Sequence, residues 1–136
     1  EDKPRYAMGL GTPPQLLELV ARGVDMFDCV LPTRAARHGT AYTRRGTVNM
    51  KSASYREDFG AVEEGCPCHA CCNFTRAYLR HLLNVGESLG QRLLTIHNLH
   101  LYLDLMAEAR VALENGTFEH FRANFSREYS GGGTEV

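Results

Sequence analysis

The chain has 136 residues and a net charge of −1 at pH 7; 43% of its residues are hydrophobic and 23% are charged. These values are typical of a single soluble globular domain. They exclude a membrane span, because no run of eighteen apolar residues occurs. The N-terminus has neither the basic start nor the apolar run of a signal peptide, so we expect a cytoplasmic protein with no membrane partner. Because the chain lacks an initiator methionine, we expect a processed product or a piece of a longer protein.

The first part of the chain predicts a strand, a helix and a strand. RYAMGLGTP is typical of a short strand that runs into a glycine-rich turn, and PPQLLELVARG of a helix with Thr12 as N-cap and Pro13 at its first position. VDMFDCVLP is rich in β-forming residues and is expected to be a strand that Pro32 stops. Two strands joined by a helix through short links indicate a parallel sheet with a crossover.

The rest of the chain predicts a hairpin, an irregular stretch and helices. AYTRRGTVNM is typical of a hairpin that turns near Arg45–Gly46, and SASYREDFGAVEEG has no regular pattern. Helical patterns follow in NFTRAYLRHLLNVGESLG, which we expect Gly90 to end, in LLTIHNLHLYLDLMAEARVALENG, closed by Gly116, and in TFEHFRANFSREY, with Phe118, Phe121 and Phe125 on one face. The predicted segments are 1–60, 61–128 and a flexible tail at 129–136.

The charge of the chain is unevenly distributed. From Thr33 to Arg56 there are six Lys or Arg residues and no Asp or Glu. A basic block in a chain of nearly zero net charge is a candidate surface for contacting phosphate groups. A solvated hairpin explains the block equally well.

Four of the five cysteines lie in CPCHACC, residues 66–72. Cys66, Cys68 and Cys71 have the spacing C-x-C-x-x-C. A disulfide framework would need an oxidising compartment, and a redox motif is usually a lone C-x-x-C beside a βαβ unit. Three thiolates at this spacing favour a tetrahedral zinc site over free thiols, and a closed site needs one further ligand.

The residues alone leave the fourth ligand open. The candidates are His69, Cys72, His97 and His100. His69 lies inside the knuckle and is poorly placed to close it, whereas His97 would tie the knuckle to the long helix. A polar residue on a helix face is nevertheless the commoner explanation for a histidine such as His97.

Asp28 lies near the C-terminal end of the second predicted strand. With the two-residue period of a strand, Val24, Met26, Asp28 and Val30 share one face, so this carboxylate is aligned with apolar neighbours. Reactive groups of parallel α/β sheets and barrels lie at that end of the strands. A carboxylate beside TRAARHG suggests a nucleophile next to a phosphate-bearing substrate, although a hydrogen bond to the following turn is the commoner role of such an Asp.

Several segments, in this order, resemble tRNA-guanine transglycosylase, the queuine tRNA-ribosyltransferase family: RYAMGLGTP, GVDMFDCVLPTR, CPCHAC, TRAYLRH and TIHN. The similarity runs from about Tyr6 to Phe125, and its details are of the bacterial type. It implies that this chain is the C-terminal third of an α/β enzyme whose fold is a (β/α)8 TIM-type barrel. Residues 1–60 would supply the last two barrel strands and the basic hairpin, and residues 61–128 the zinc-binding subdomain and the closing helices.

The resemblance also implies an activity. Members of the family exchange guanine at the anticodon wobble position of tRNA for a 7-deazaguanine base, preQ1 in bacteria, in queuosine biosynthesis. Asp28 matches the family's nucleophile, which attacks ribose C1′ and forms a covalent RNA–enzyme intermediate. The family's structural zinc ion, one per chain, would be bound by Cys66, Cys68, Cys71 and His97, with His69 and Cys72 as bystanders.

The family's substrate-contacting positions fall on two segments. Tyr6, Met8 and Gly9 would line the pocket for guanine or the 7-deazaguanine base. The positions that would contact the tRNA anticodon loop are Gly9, Leu10, Gly11, Thr12, Pro13, Pro14 and Gln15 in the first segment and Thr33, Arg34, Ala35, Ala36 and Arg37 in the second. The helix with Tyr78 and His81 resembles the family's homodimer face, and both residues could also be ordinary helix surface or core.

The resemblance finally implies what this chain lacks. The family's second aspartate, used for proton transfer and base recognition, would lie in the N-terminal two thirds, and 136 residues cannot build a barrel of about 250 residues. We therefore predict that the chain alone does not catalyse exchange. Two other functions stay open at this point: a zinc-stabilised RNA-binding module without chemistry, and a dimerisation and zinc subdomain whose open strand edges drive association.

Overall fold

The structure is a computed structural model that describes residues 2–131. It is a helix-rich α/β fold in which two small sheets pack around one long helix. The strands are β1 (Tyr6–Ala7), β2 (Met26–Phe27), β3 (Thr40–Thr43) and β4 (Gly46–Asn49). The α-helices are α1 (Pro13–Ala21), α2 (Leu31–Arg37), α3 (His69–Asn73), α4 (Arg76–Asn84), α5 (Ser88–Glu114) and α6 (Phe118–Gly131), and a 3-10 turn covers Ala53–Tyr55.

The predicted strand–helix–strand unit is present. β1 and β2 are parallel, with Tyr6 paired to Met26, and α1 forms the crossover between them. The helix begins where expected, because Pro13 takes its first position and Gln15 Oε1 accepts a 3.0 Å hydrogen bond from the Thr12 N–H. The basic hairpin is also present, as the antiparallel pair β3–β4 with Arg44 and Arg45 at its turn.

Two predicted boundaries are wrong. The strand around Phe27 does not run to Pro32; the helix α2 begins at Leu31 instead, because a proline is well accommodated in the first turn of a helix. Gly90 does not end a helix; it lies inside α5 and is buried. A Cβ at Gly90 would lie 2.8 Å from Leu82 Cβ, so the glycine is needed where α5 closely approaches α4.

Helix α5 is the centre of the core. Its Leu93 and Leu94 belong to the apolar cluster that includes Leu79 of α4 and Met50 after the hairpin. Further along, α5 packs against α1 and α6 through a second cluster, in which Phe118 and Phe125 are buried and Phe121 is partly buried, as their spacing predicts. Because α5 contacts α1, α2, α3, α4, α6 and β3, it holds these elements in fixed positions relative to one another.

Asn98 of α5 holds three separate segments together. Its Oδ1 accepts a 2.9 Å hydrogen bond from the Tyr42 N–H, and its Nδ2 donates to the carbonyls of Pro32 and Thr40 at 3.0 and 3.1 Å. The side chain is fully buried, and its bonds to the Tyr42 N–H and the Pro32 carbonyl satisfy backbone groups in the protein interior. Asn98 therefore fixes α2 and β3 on the long helix.

The last helix is longer than predicted. α6 continues to Gly131, three residues into the segment predicted as a tail, and Tyr129 stacks on Phe125 with ring centroids 5.7 Å apart. The rest of the predicted tail, residues 132–136, lies outside the described residues. Within residues 2–131, no helix is both long and apolar enough to cross a membrane.

Candidate active site and metal centre

The carboxylate of Asp28 lies just beyond the C-terminal end of β2, as the strand pattern predicts. Its Oδ1 accepts a 2.6 Å hydrogen bond from the Tyr6 hydroxyl and a 3.1 Å bond from the Gly9 N–H. Gly9 has φ +68°, and a Cβ there would meet open space, so glycine is favoured by its backbone conformation. Tyr6 lies in β1 and Gly9 follows that strand, and neither donor binds the second carboxylate oxygen, Oδ2.

These hydrogen bonds favour the ionised form of Asp28. The Tyr6 hydroxyl first, and the Gly9 N–H second, lower the pKa of the Asp28 carboxyl below its ordinary range, because both donors stabilise the charged form. The same bond raises the pKa of Tyr6. Asp28 is therefore an exposed carboxylate that is held in one orientation and charged at neutral pH.

Removing the Tyr6 hydroxyl should raise the pKa of Asp28. Tyr6→Phe deletes the larger of the two stabilising donors, so we expect the carboxyl to take up its proton at a higher pH than in the unmodified chain. NMR titration of the carboxyl carbon measures this directly. Tyr78→Phe, an exposed tyrosine on α4, is the control that should leave the titration unchanged. Equal Asp28 pKa values in the Tyr6→Phe variant and the unmodified chain would contradict the prediction.

The surface beside Asp28 is open and apolar. Tyr6 and Met26, which pair across the two strands, are 52% and 51% exposed, and Met8 is 74% exposed. Tyr6, Met8 and Gly9, the residues predicted for a base pocket, are all solvent-accessible here. Apolar side chains of this size at the end of a two-stranded sheet can cover the flat face of a base.

The residues predicted to contact RNA divide into an exposed and a buried group. The exposed side chains include those of Leu10, Gln15, Thr33, Arg34 and Arg37. Gly11, Pro13 and Ala36 are buried, and Thr12, Pro14 and Ala35 are partly buried. The side chains of Pro13 and Ala36 pack inside the protein, so contact with RNA stays a prediction for the exposed side chains and for the backbone of these segments.

One member of the predicted basic block is neutralised. The Arg44 guanidinium donates to Asp104 Oδ2 at 2.6 Å and to Glu108 Oε2 at 2.9 Å. The pKa of Arg44 is raised, chiefly by the Glu108 hydrogen bond. These carboxylates lie sixty residues further along the chain, on α5, so the charge pattern of the sequence could not reveal the pairing. Arg44 fastens the hairpin to α5 and does not add to the basic surface.

The structure brings four of the predicted metal ligands together. The ligand atoms of Cys66, Cys68, Cys71 and His97 all lie within 4.8 Å of one another. The three sulfur atoms are 3.7, 3.7 and 3.3 Å from the Nδ1 atom of His97. A tetrahedral zinc ion with bonds of about 2.3 Å to sulfur and about 2.0 Å to nitrogen sets these separations at about 3.5 Å. The four residues therefore fit a zinc ion.

A hydrogen bond orients His97 for this role. Its Nε2 lies 2.8 Å from the Tyr42 carbonyl oxygen. Because a carbonyl can only accept, Nε2 carries the hydrogen and Nδ1 presents its lone pair to the three thiols. Burial lowers the pKa of His97, which favours the neutral, metal-binding form. A backbone partner that orients a ligating histidine is a common feature of metal sites, and no sequence pattern indicated that Tyr42 would be this partner.

The thiols are arranged by a short helix. Cys68 is the N-cap of α3, and its Sγ accepts a 3.4 Å hydrogen bond from the Cys71 N–H. Burial raises the pKa values of Cys66 and Cys71, so a cation is needed to keep all of these sulfurs ionised. The exposed Cys72 and His69 lie outside the group.

The fold and the sites together describe a particular class of protein. It is a helix-rich α/β chain that carries a fixed carboxylate at the end of a parallel strand pair, an exposed basic segment and a Cys3His metal-binding group. The family model of queuine tRNA-ribosyltransferase matches residues 1–131. The chain belongs to this family.

Curated relatives support the assignment. A queuine tRNA-ribosyltransferase of Pelotomaculum thermopropionicum is 54% identical over 131 residues, which cover 96% of this chain and 35% of that protein. The proteins of the same name from Symbiobacterium thermophilum and Thermotoga petrophila are each 52% identical, over 99% and 100% of this chain and 34% and 37% of theirs. The chain thus spans about a third of the length of these relatives.

Proposed function

We propose that the chain is the C-terminal portion of a cytoplasmic tRNA-modifying glycosyltransferase that exchanges guanine at the wobble position of the anticodon for a 7-deazaguanine base in queuosine biosynthesis. The observation that carries this proposal is the Asp28 carboxylate, ionised and fixed by Tyr6 and Gly9 at the end of a parallel strand. A fixed, ionised carboxylate with one oxygen free of those donors is suited to nucleophilic attack.

The proposed chemistry uses Asp28 twice. Its carboxylate attacks ribose C1′, the bond from C1′ to the guanine nitrogen breaks, and guanine leaves with the bonding electrons and takes up a proton. The incoming base then attacks the same carbon and loses a proton, and the C1′–oxygen bond to Asp28 breaks. Two inversions retain the configuration, as in glycosidases that work through a carboxylate nucleophile. The acid and base that transfer these protons would be supplied from outside this chain.

In this proposal β1 and β2 are the last two strands of a (β/α)8 barrel. Support comes from their parallel pairing through the crossover helix α1, and from the exposed apolar residues beside them, Tyr6, Met8 and Met26. Six further strands would be needed to enclose the site, since about 250 residues build such a barrel. The isolated chain would therefore be inactive.

Substrate binding is assigned to the two segments that flank Asp28. Tyr6, Met8 and Gly9 would form part of the pocket for guanine or the 7-deazaguanine base. Arg34 and Arg37 are exposed and lie three residues apart in the last turn of α2. Their guanidinium groups would bind phosphates of the tRNA anticodon loop.

The metal site is assigned to one structural zinc ion. Bound by three thiolates and His97, it would have no open position for a substrate and would join the α3 knuckle to α5. It takes no part in the reaction; it keeps the segment after the basic hairpin folded against the long helix.

The exposed side of α4 is proposed as a homodimer face. Phe74 and Tyr78 stack with centroids 5.6 Å apart and ring planes 16° apart, and Tyr78 and His81 are exposed. Tyr78 is on α4 and Phe74 precedes that helix; an exposed aromatic ring supported in this way is a suitable apolar contact for a second copy of the same helix.

The alternative function is a zinc-stabilised RNA-binding or dimerisation module without catalysis. It is favoured by the exposed basic residues Arg34 and Arg37, which can bind phosphates whether or not a reaction follows. The RNA-binding form of the alternative differs from the proposed function only in lacking the covalent step, whereas the dimerisation form also makes no use of RNA.

A chimaera tests the proposal. This chain would replace the matching third of the Pelotomaculum thermopropionicum relative, with which it shares 54% of residues. We expect the chimaera to exchange radiolabelled guanine into tRNA and to form an RNA adduct that survives denaturing electrophoresis. The isolated 136-residue chain is the control and should do neither. RNA binding by a folded chimaera without adduct or exchange would favour the alternative.

A further inference from the structure

The end of the basic hairpin lies against the end of α2. The Met50 N–H donates a 2.8 Å hydrogen bond to the Gly39 carbonyl, and Lys51 follows directly. A Cβ at Gly39 would lie 3.0 Å from Lys51 Cγ and 3.1 Å from its Cε. The aliphatic stem of Lys51 therefore lies across Gly39, two residues after Arg37.

Gly39 makes this arrangement possible for two reasons. Its φ of +88° is in the region that favours glycine, and any side chain there would occupy the space that the Lys51 stem takes. The backbone around Lys51 is held as well, since the Lys51 N–H donates to Asn49 Oδ1 at 3.0 Å and the Ser52 carbonyl accepts from Arg80 Nε at 2.8 Å. An exposed lysine is thus supported at a defined place beside α2.

The cations at this place are not used inside the protein. In the described part of the chain, the side chains of Arg34, Arg37 and Lys51 make no hydrogen bond or ion pair, whereas Arg44 and Arg76 are paired with carboxylates. The sequence from Thr33 to Arg56 contains no Asp or Glu that could neutralise them. Three unpaired cations around one junction create a local positive potential.

We propose that Lys51 is a third phosphate-contacting residue, which binds the backbone of the RNA anticodon loop beside the phosphates held by Arg34 and Arg37. This inference rests on the proposed function, because it assumes that RNA reaches α2. Lysine acts here as a point charge on a supported stem, and it contributes affinity and register without reading a base.

The salt dependence of RNA binding tests this proposal. Each phosphate contact to a single strand contributes about 0.7 to the slope of log K against log salt concentration. We expect Lys51→Gln to reduce that slope by about 0.7 for the 136-residue chain binding a 17-nucleotide anticodon stem-loop. The unmodified chain should bind RNA more tightly than Lys51→Gln at 50 mM salt, and this advantage, expressed as the ratio of the two association constants, should shrink by about threefold at 200 mM salt.

Arg45→Gln is the matched control. Arg45 is exposed and lies at the turn, the opposite end of the same hairpin, and four strand residues separate the two ends by about 13 Å. We expect Arg45→Gln to leave the salt dependence of RNA binding unchanged. Lys51→Arg keeps the positive charge and should also retain the slope of the unmodified chain. Circular dichroism and the bound zinc content confirm that each variant is folded.

The outcomes separate the inference from the function it rests on. If Arg34→Gln reduces the slope while Lys51→Gln behaves like Arg45→Gln, the role of Lys51 is overturned and RNA binding by α2 stands. If the folded, unmodified chain binds the stem-loop with no salt dependence, both the role of Lys51 and the proposed binding of RNA phosphates by α2 are overturned. A smaller slope for Lys51→Gln, recovered in Lys51→Arg, supports the proposal.

Discussion

Asp28→Asn should lower the rate of base exchange in the chimaera at least about a thousandfold, since removing a nucleophile typically costs a factor of this size or more. The amide keeps the shape of the side chain but is a poor nucleophile, so the covalent RNA adduct should disappear together with the exchange. Tyr6 and Gly9 are both hydrogen-bond donors to Oδ1, and an amide oxygen can still accept from them. The variant should therefore fold and bind RNA normally. Denaturing electrophoresis and guanine exchange measure the two losses.

The control for this experiment is Asp25→Asn. Asp25 is an exposed carboxylate three residues earlier, and its Oδ2 accepts a 2.8 Å hydrogen bond from the Arg5 N–H, so it has a local structural role away from Oδ1 of Asp28. We expect Asp25→Asn to retain the adduct and most of the exchange. An Asp28→Asn variant that still forms the adduct would exclude Asp28 as the nucleophile.

Loss of the metal should unfold the region around α3. A bound zinc ion would neutralise the three thiols of this group, and structural zinc sites contribute on the order of 10 kcal/mol of apparent binding free energy in zinc-finger peptides. That exceeds or equals the whole stability of many domains, about 5 to 15 kcal/mol. We expect His97→Ala, or treatment with a strong chelator, to lower the melting temperature sharply and to remove one zinc ion per chain in native mass spectrometry.

His69→Ala is the matched control for the metal prediction. His69 is a histidine of the same knuckle, but it is exposed and lies outside the ligand group. Its Nδ1 is 3.2 Å from Asn73 Nδ2, a contact within the same short helix. The variant should retain one zinc ion and nearly all of its stability. A stable, metal-free unmodified chain would contradict the assignment of a structural zinc site.

The sequence by itself determined the local features of this protein. Thr12 and Pro13 fix the start of α1 because capping depends on neighbouring residues, and the spacing of Cys66, Cys68 and Cys71 suits one metal ion because a tight turn brings such positions together. The position of Asp28 at a strand end follows from the strand–helix–strand order. The resemblance to a family then supplied the roles proposed for Asp28 and His97, which the residue patterns had left open.

Only the tertiary structure decided how distant segments meet. His97 faces the thiols because α5 passes beside the knuckle, and the Tyr42 carbonyl fixes which of its nitrogens does so. Arg44 is taken out of the basic surface by two carboxylates on α5, whereas Lys51 joins Arg37 because a glycine lets its stem lie across the end of α2. The contacts of His97 and Arg44 join residues far apart in the chain, so no local pattern encodes them, whereas the Lys51 contact depends on how the hairpin closes. The sequence specifies the thiols, the histidine and the basic side chains. Packing on α5 determines which of these side chains have a partner inside the protein and which stay exposed to bind a ligand.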